Sequence, residues 1–174
     1  MGVWSIRFIW AAIIQGLLAT LLTAYFVLGQ ATGYLVPAFS RVIAAGGAGA
    51  WFVVGYFGYL TVGVIGVAVT ALFYYYIEDV LGRPYEGFPN ALAWIHIIFM
   101  NIGVIGATWI MIWGGYVGGA AMLPPEVGGK GWTGLQVHEH ILGPLPFPIT
   151  IFLIILFIGV LAGGLGFLLM WRRK

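Results

Sequence analysis

Four stretches of this chain are apolar for longer than any soluble domain requires. A helix rises about 1.5 Å per residue, so roughly 20 apolar residues cross the hydrocarbon core of a bilayer. Residues 8–28, 50–77, 91–119 and 147–171 each reach that length, and the pattern predicts an all-α chain, a polytopic membrane four-helix bundle. Trp4 and Trp10 stand at the start of the first span and Tyr25 and Tyr34 near its end, as interfacial aromatics do. Its one strongly polar side chain is Gln15. The second span lies in the uncharged run 42–77, entered through Gly46-Gly47. The fourth closes on Arg172-Arg173-Lys174, a stop signal. The first apolar stretch exceeds the roughly 7–15 residues of a signal-peptide core and no small-x-small site follows it closely, so it is expected to be retained.

The links between spans differ in kind. The one around Arg41 is short and glycine-rich. The link 78–86 holds four charges in nine residues, Glu78, Asp79, Arg83 and Glu86. The link 123–148 is the longest and carries five of the eight prolines. With four spans both termini share a side. Placing them in the cytoplasm leaves Arg7, Arg83, Arg172, Arg173 and Lys174 inside against Arg41 and Lys130 outside, the bias of the positive-inside rule.

Composition removes whole classes of function. Charged residues are 7% of the chain, against about 25% in soluble domains, while 62% of the residues are hydrophobic. Mean hydropathy is +1.06. A water-soluble enzyme, a nucleic-acid binder and a disordered tail are excluded. The net charge of +2 says nothing of polyanionic partners. No cysteine is present, so disulfides, iron–sulfur clusters, thiolate zinc sites and cysteine nucleophiles are excluded as well. No repeat of fixed period is visible, and residues 1–174 read as a single transmembrane domain.

Histidines are the first places to look for chemistry. A haem clamped between helices needs two histidines at similar depth. His96 lies in the third span toward the cytoplasmic end, whereas His138 and His140 lie in the long outer link, too far away to share one haem with it. His138-Glu139-His140 supplies half a metal site if that segment is extended, because alternate residues of a strand share a face. Glu126 is the only other strong ligand nearby, and the plain alternative is an exposed loop that packs on a partner. Apart from His96 the spans hold no ionisable group, which argues against a pump, a transporter or an intramembrane acid–base enzyme. Tyr74-Tyr75-Tyr76 reads as an interfacial belt, with a quinone contact at Tyr75 as the functional alternative. Gly55, Gly58, Gly63 and Gly66 in the second span, and Gly114, Gly115, Gly118 and Gly119 in the third, predict close helix approach.

Three further motifs fall within residues 55–119: Tyr74-Tyr75-Tyr76-Ile77, Gly82-Arg83-Pro84-Tyr85, and Ala93-Trp94-Ile95-His96 with Gly103 seven residues after the histidine. On these the segment resembles the tenth and eleventh helices of the haem–copper oxidase large subunit, the superfamily of cytochrome oxidases, quinol oxidases and nitric oxide reductases. Asn101-Ile102-Gly103 and the exit Gly114-Gly115-Tyr116-Val117-Gly118-Gly119 look like the reductase-type branch. Gly55 and Phe57 stand where the family has its haem-ligating histidines, so haem ligation and oxygen reduction do not carry over. Of the histidines only His96 matches, and in the family that position is not an iron ligand.

The expectation is a non-catalytic accessory subunit of a respiratory complex of terminal-oxidase type, multi-pass in a prokaryotic plasma membrane. Its partners are other integral membrane subunits and lipids, not nucleic acid. The isolated chain is expected to hold no cofactor. The alternative is a redox subunit that helps a partner bind a haem or a quinone through His96 and Tyr75; a small transporter or channel ranks third. Trp132 is the expected anchor of a docking surface on the long link, with His138 and His140 beside it.

Overall fold

The computed structural model describes residues 1–173. Lys174, one of the charges in the orientation argument, lies outside the described residues. The described chain is helical, with no strand. Helix α1 spans Val3–Ala31 and a short α2 covers Phe39–Ile43. Helix α3 runs Gly47–Val80, α4 Phe88–Met122, a single turn α5 Gly134–Val137, and α6 Pro146–Arg172. Helices α1, α3, α4 and α6 are each long and apolar enough to cross a membrane, which makes this a multi-pass membrane protein.

Every span is longer than its apolar stretch. Helix α1 begins at Val3 instead of residue 8, and α3 extends to Val80 through its charged end. At the start of α1 the cause is local: carboxylates from the end of α3 satisfy its orphan amides, as described below. Helix α3 is not uniform. It is π-helical over Tyr59–Gly66 and again over Tyr76–Val80, and α-helical elsewhere.

Packing divides into two compact units, each drawing on all four long helices. One comprises Met1–Leu17, Leu60–Ile105 and the chain from Phe152 onward. Its core is built from Trp4, Phe8, Tyr74, Tyr85, Met100 and Met170, all at most 7% exposed. Phe8 stacks on Tyr74 at 4.7 Å, and Tyr74 meets Tyr85 at 5.0 Å and Phe167 at 4.9 Å. Helices α4 and α6 touch backbone to backbone here. A methyl group on Gly103 would strike the main chain of Leu156, and one on Gly159 the main chain of Met100. Gln15, the polar residue of the first span, donates to Asn101 Oδ1 at 2.7 Å.

The second unit comprises Leu18–Tyr59 and Gly106–Ile151. Phe26, Phe39, Phe52 and Tyr116 form its aromatic centre, with Phe26–Phe39 at 4.6 Å and Phe26–Phe52 at 5.0 Å. The hydroxyls of Thr23 and Tyr56 pair at 2.6 Å. Helix α3 lies against α4 where Gly115 faces the main chain of Phe52 and Gly55 that of Thr108. These are two of the contacts that the glycine pattern predicted.

The long link is not an unsupported loop. Pro125–Val127 forms a 3-10 turn, α5 follows, and His138–Leu142 continues it as a π-helical turn. Thr133 caps α5 through a reciprocal pair of hydrogen bonds with Gln136. Val137, Ile141 and Leu142 are buried against Ala48 and Ala121, so the segment carries its own share of core.

Candidate functional site

The only histidine within a span sits in an aromatic cage. His96 is 3% exposed. Its Nδ1 lies 3.2 Å from the Tyr74 hydroxyl, and its ring meets Phe8 at 5.0 Å and Phe167 and Tyr74 at 5.9 Å each. On α6, Gly163 makes room for it. A β-carbon there would collide with the imidazole, Nδ1 included. Four helices thus converge on one ring: α1 through Phe8, α3 through Tyr74, α6 through Gly163 and Phe167, and α4, which carries the histidine.

Helical periodicity sorts the three tyrosines. Tyr74 is fully buried, whereas Tyr75 and Tyr76 are 43% and 40% exposed. Tyr75, the expected quinone contact, therefore faces away from His96. It lines an apolar groove between α1 and α3 with Ile9, Ile13, Ala68 and Leu72. Tyr85, which the sequence did not single out as a site residue, packs on Tyr74 instead. It is 7% exposed and its hydroxyl makes no hydrogen bond in this structure. Burial, reinforced by the Glu78 charge, pushes its phenol up.

The charges beside this cage are engaged in holding helix ends. Glu78 accepts from the backbone N–H groups of Trp4 and Ser5 at 2.9 and 3.0 Å, and Asp79 from that of Gly2 at 2.8 Å. Two carboxylates thereby sit at the N-terminus of α1, where orphan amides and the helix dipole favour negative charge. The Met1 amine adds an ion pair with Asp79 at 3.2 Å. At the opposite pole of the same logic, Arg83 donates to the carbonyls of Met170 and Trp171 at 2.9 and 2.7 Å, closing the C-terminus of α6. Arg7 lies between two indoles, 4.5 Å from the Trp4 ring and 4.4 Å from that of Trp94. Trp4 Nε1 in turn donates to Asn90 Oδ1 at 3.0 Å.

The third expected site is rearranged. His138 and His140 were paired on the premise of an extended segment, but that segment is helical. Alternate residues on a helix point to different faces, so the geometric reason for a shared metal is lost. No group of three or more His, Asp or Glu stands together as a metal-ligand set among the described residues. His140 instead packs on Trp132, with ring centroids 5.3 Å apart, and the Lys130 ammonium covers the indole at 4.3 Å. Trp132 is half-buried against its own unit, while Leu135 and Phe147 are 67% and 75% exposed. Those two apolar side chains, not the indole, are what this segment presents outward.

The two positions that stand in for haem ligands in the resemblance differ in surroundings. Gly55 lies against α4, and Phe57 is 60% exposed. No protein-family model, curated protein or solved structure matches the chain.

Proposed function

We propose that this protein is a non-catalytic accessory subunit of a respiratory membrane complex of terminal-oxidase type, seated beside the catalytic subunit in a prokaryotic plasma membrane with both termini cytoplasmic. One observation carries the reading: three side-chain polar pairs within the spans each join two of this chain's own helices. Gln15 pairs with Asn101, Thr23 with Tyr56, and His96 with Tyr74. Pumps and transporters keep intramembrane polar groups for their cargo; here they fasten a scaffold. The resemblance to the oxidase large subunit, without the ligand positions, supports the same reading. Leu135 and Phe147 supply apolar surface for a neighbour, and His138 and His140 flank it with polar groups.

A second reading is favoured by the His96–Tyr74 pair and the unbonded Tyr85 hydroxyl beside it. On that reading the chain is a redox subunit whose cage adjoins a haem or quinone held largely by a partner.

Purification of the tagged chain from native membranes in mild detergent tests both. Co-purification of oxidase polypeptides with no Soret band attributable to this chain supports the accessory role. A stoichiometric haem signal from the separated chain favours the redox subunit. A chain that leaves native membranes without any respiratory polypeptide overturns both.

A further inference from the structure

We propose that the α3/α6 face of the first unit is a binding site for one anionic phospholipid. The headgroup phosphate lies on Arg83 and Arg173, and an acyl chain lies along the groove that Trp171 and Tyr76 open. Two adjoining recesses make up the site. The polar one, about 440 Å³, is lined by Leu81, Gly82, Arg83, Pro84, Glu86 and Arg173. The apolar one, also about 440 Å³, is lined by Val69, Leu72, Phe73, Tyr76 and Trp171. Each falls within the roughly 300–1,000 Å³ of ordinary ligand clefts.

Trp171 joins them. Its ring stacks on Tyr76 at 5.8 Å and walls the apolar groove, while its carbonyl receives Arg83 at 2.7 Å. Arg83 is thereby fixed. Both of its hydrogen bonds to described residues leave from one terminal nitrogen, and the other edge of the guanidinium fork is the part proposed to meet the phosphate, the planar recognition at which arginine excels. Arg173 adds a second cation and Glu86 one opposing carboxylate, so the recess keeps a positive excess.

Charge complementarity selects the occupant. Basic clusters at the ends of spans attract anionic lipid headgroups, and basic pockets between helices hold them. A zwitterionic lipid would fill the groove equally well and gain less from the arginines. Leu72, Phe73 and Trp171 are 66%, 54% and 59% exposed, a continuous apolar wall of the kind an acyl chain covers.

The test is native mass spectrometry of the full chain, released from mild detergent after incubation with phosphatidylglycerol, with phosphatidylcholine of the same chains, or with inorganic phosphate. Phosphatidylglycerol should be retained in preference to phosphatidylcholine. Arg173→Gln should lower that preference about fivefold, the worth of one basic residue near an anionic surface. Arg83 is left in place because it also caps α6. Leu72→Trp, which fills the groove without touching a cation, should lower retention of both lipids. Equal retention of the two lipids by the unmodified chain overturns the proposal, as does an unchanged result with either variant. Displacement of phosphatidylglycerol by millimolar inorganic phosphate also overturns it, because the groove would then contribute nothing.

Discussion

His96 is held by shape more than by charge, and Gly163 is the other half of that fit. Any side chain at 163 must share space with the imidazole, which Phe8, Tyr74 and Phe167 back on its other sides. Overpacking of a filled core costs about 1–3 kcal/mol. Gly163→Ala should therefore destabilise the protein by that order, and the penalty should shrink when His96→Ala empties the neighbouring volume. A double-mutant cycle of detergent unfolding midpoints measures the coupling. Additive effects would show that the ring simply moves aside. The sequence made His96 conspicuous, since its span holds no other histidine and no Asp, Glu, Lys or Arg. It did not reveal the partner. Three consecutive tyrosines look alike in a string, and only the phase of α3 assigns Tyr74 to the histidine and Tyr75 to the outer surface. Gly163 was equally silent, because a glycine's meaning here depends on a residue in another helix.

At the scale of elements, the charged link between α3 and α4 is a pair of helix caps. Glu78 is half-buried and accepts from two first-turn amides of α1. Losing the carboxylate leaves those donors without their acceptor, and an orphaned buried donor costs about 1–3 kcal/mol. Glu78→Ala should lower the unfolding midpoint in detergent and raise hydrogen exchange in residues 3–6. Glu78→Gln keeps an acceptor oxygen but surrenders the charge, and should fall between the two. Exchange unchanged at the start of α1 would show that interfacial water replaces the cap at no cost. Hydropathy alone placed this helix's start at residue 8, since Trp4, Ser5 and Arg7 interrupt the apolar run. A window of hydropathy sees Arg7 as a boundary, whereas the structure places it between Trp4 and Trp94. The long link shows the same gap. Its length and its five prolines pointed to a docking loop and to no helix within it. Yet Thr133 and Gln136, three residues apart, form a capping box that the string contained all along.

For the whole molecule, what the sequence made plain was the architecture: four apolar runs gave four long helices, because length and hydropathy leave a bilayer chain little choice. What remains is which way the molecule faces, and the grouping of charge bears on it. Arg7, Arg83, Arg172 and Arg173 belong to the first unit, while Arg41 and Lys130 belong to the second. Two of the first group are held in place, Arg83 by the carbonyls that end α6 and Arg7 between two indoles. Positive residues close to span ends favour the cytoplasmic side, and that leaflet carries the anionic lipid that the Arg83–Arg173 recess is proposed to bind. Orientation and lipid site therefore lean on the same cations. The chain has no cysteine, so single-cysteine probes report without background. Glu126 and Glu86 are both exposed and lie in links on opposite sides of α4 in sequence. In intact cells, Glu126→Cys should react with a membrane-impermeant maleimide, whereas Glu86→Cys should react only after the membrane is permeabilised. The reverse pattern would place both termini outside, and with them the arginines that the lipid proposal needs on the anionic face.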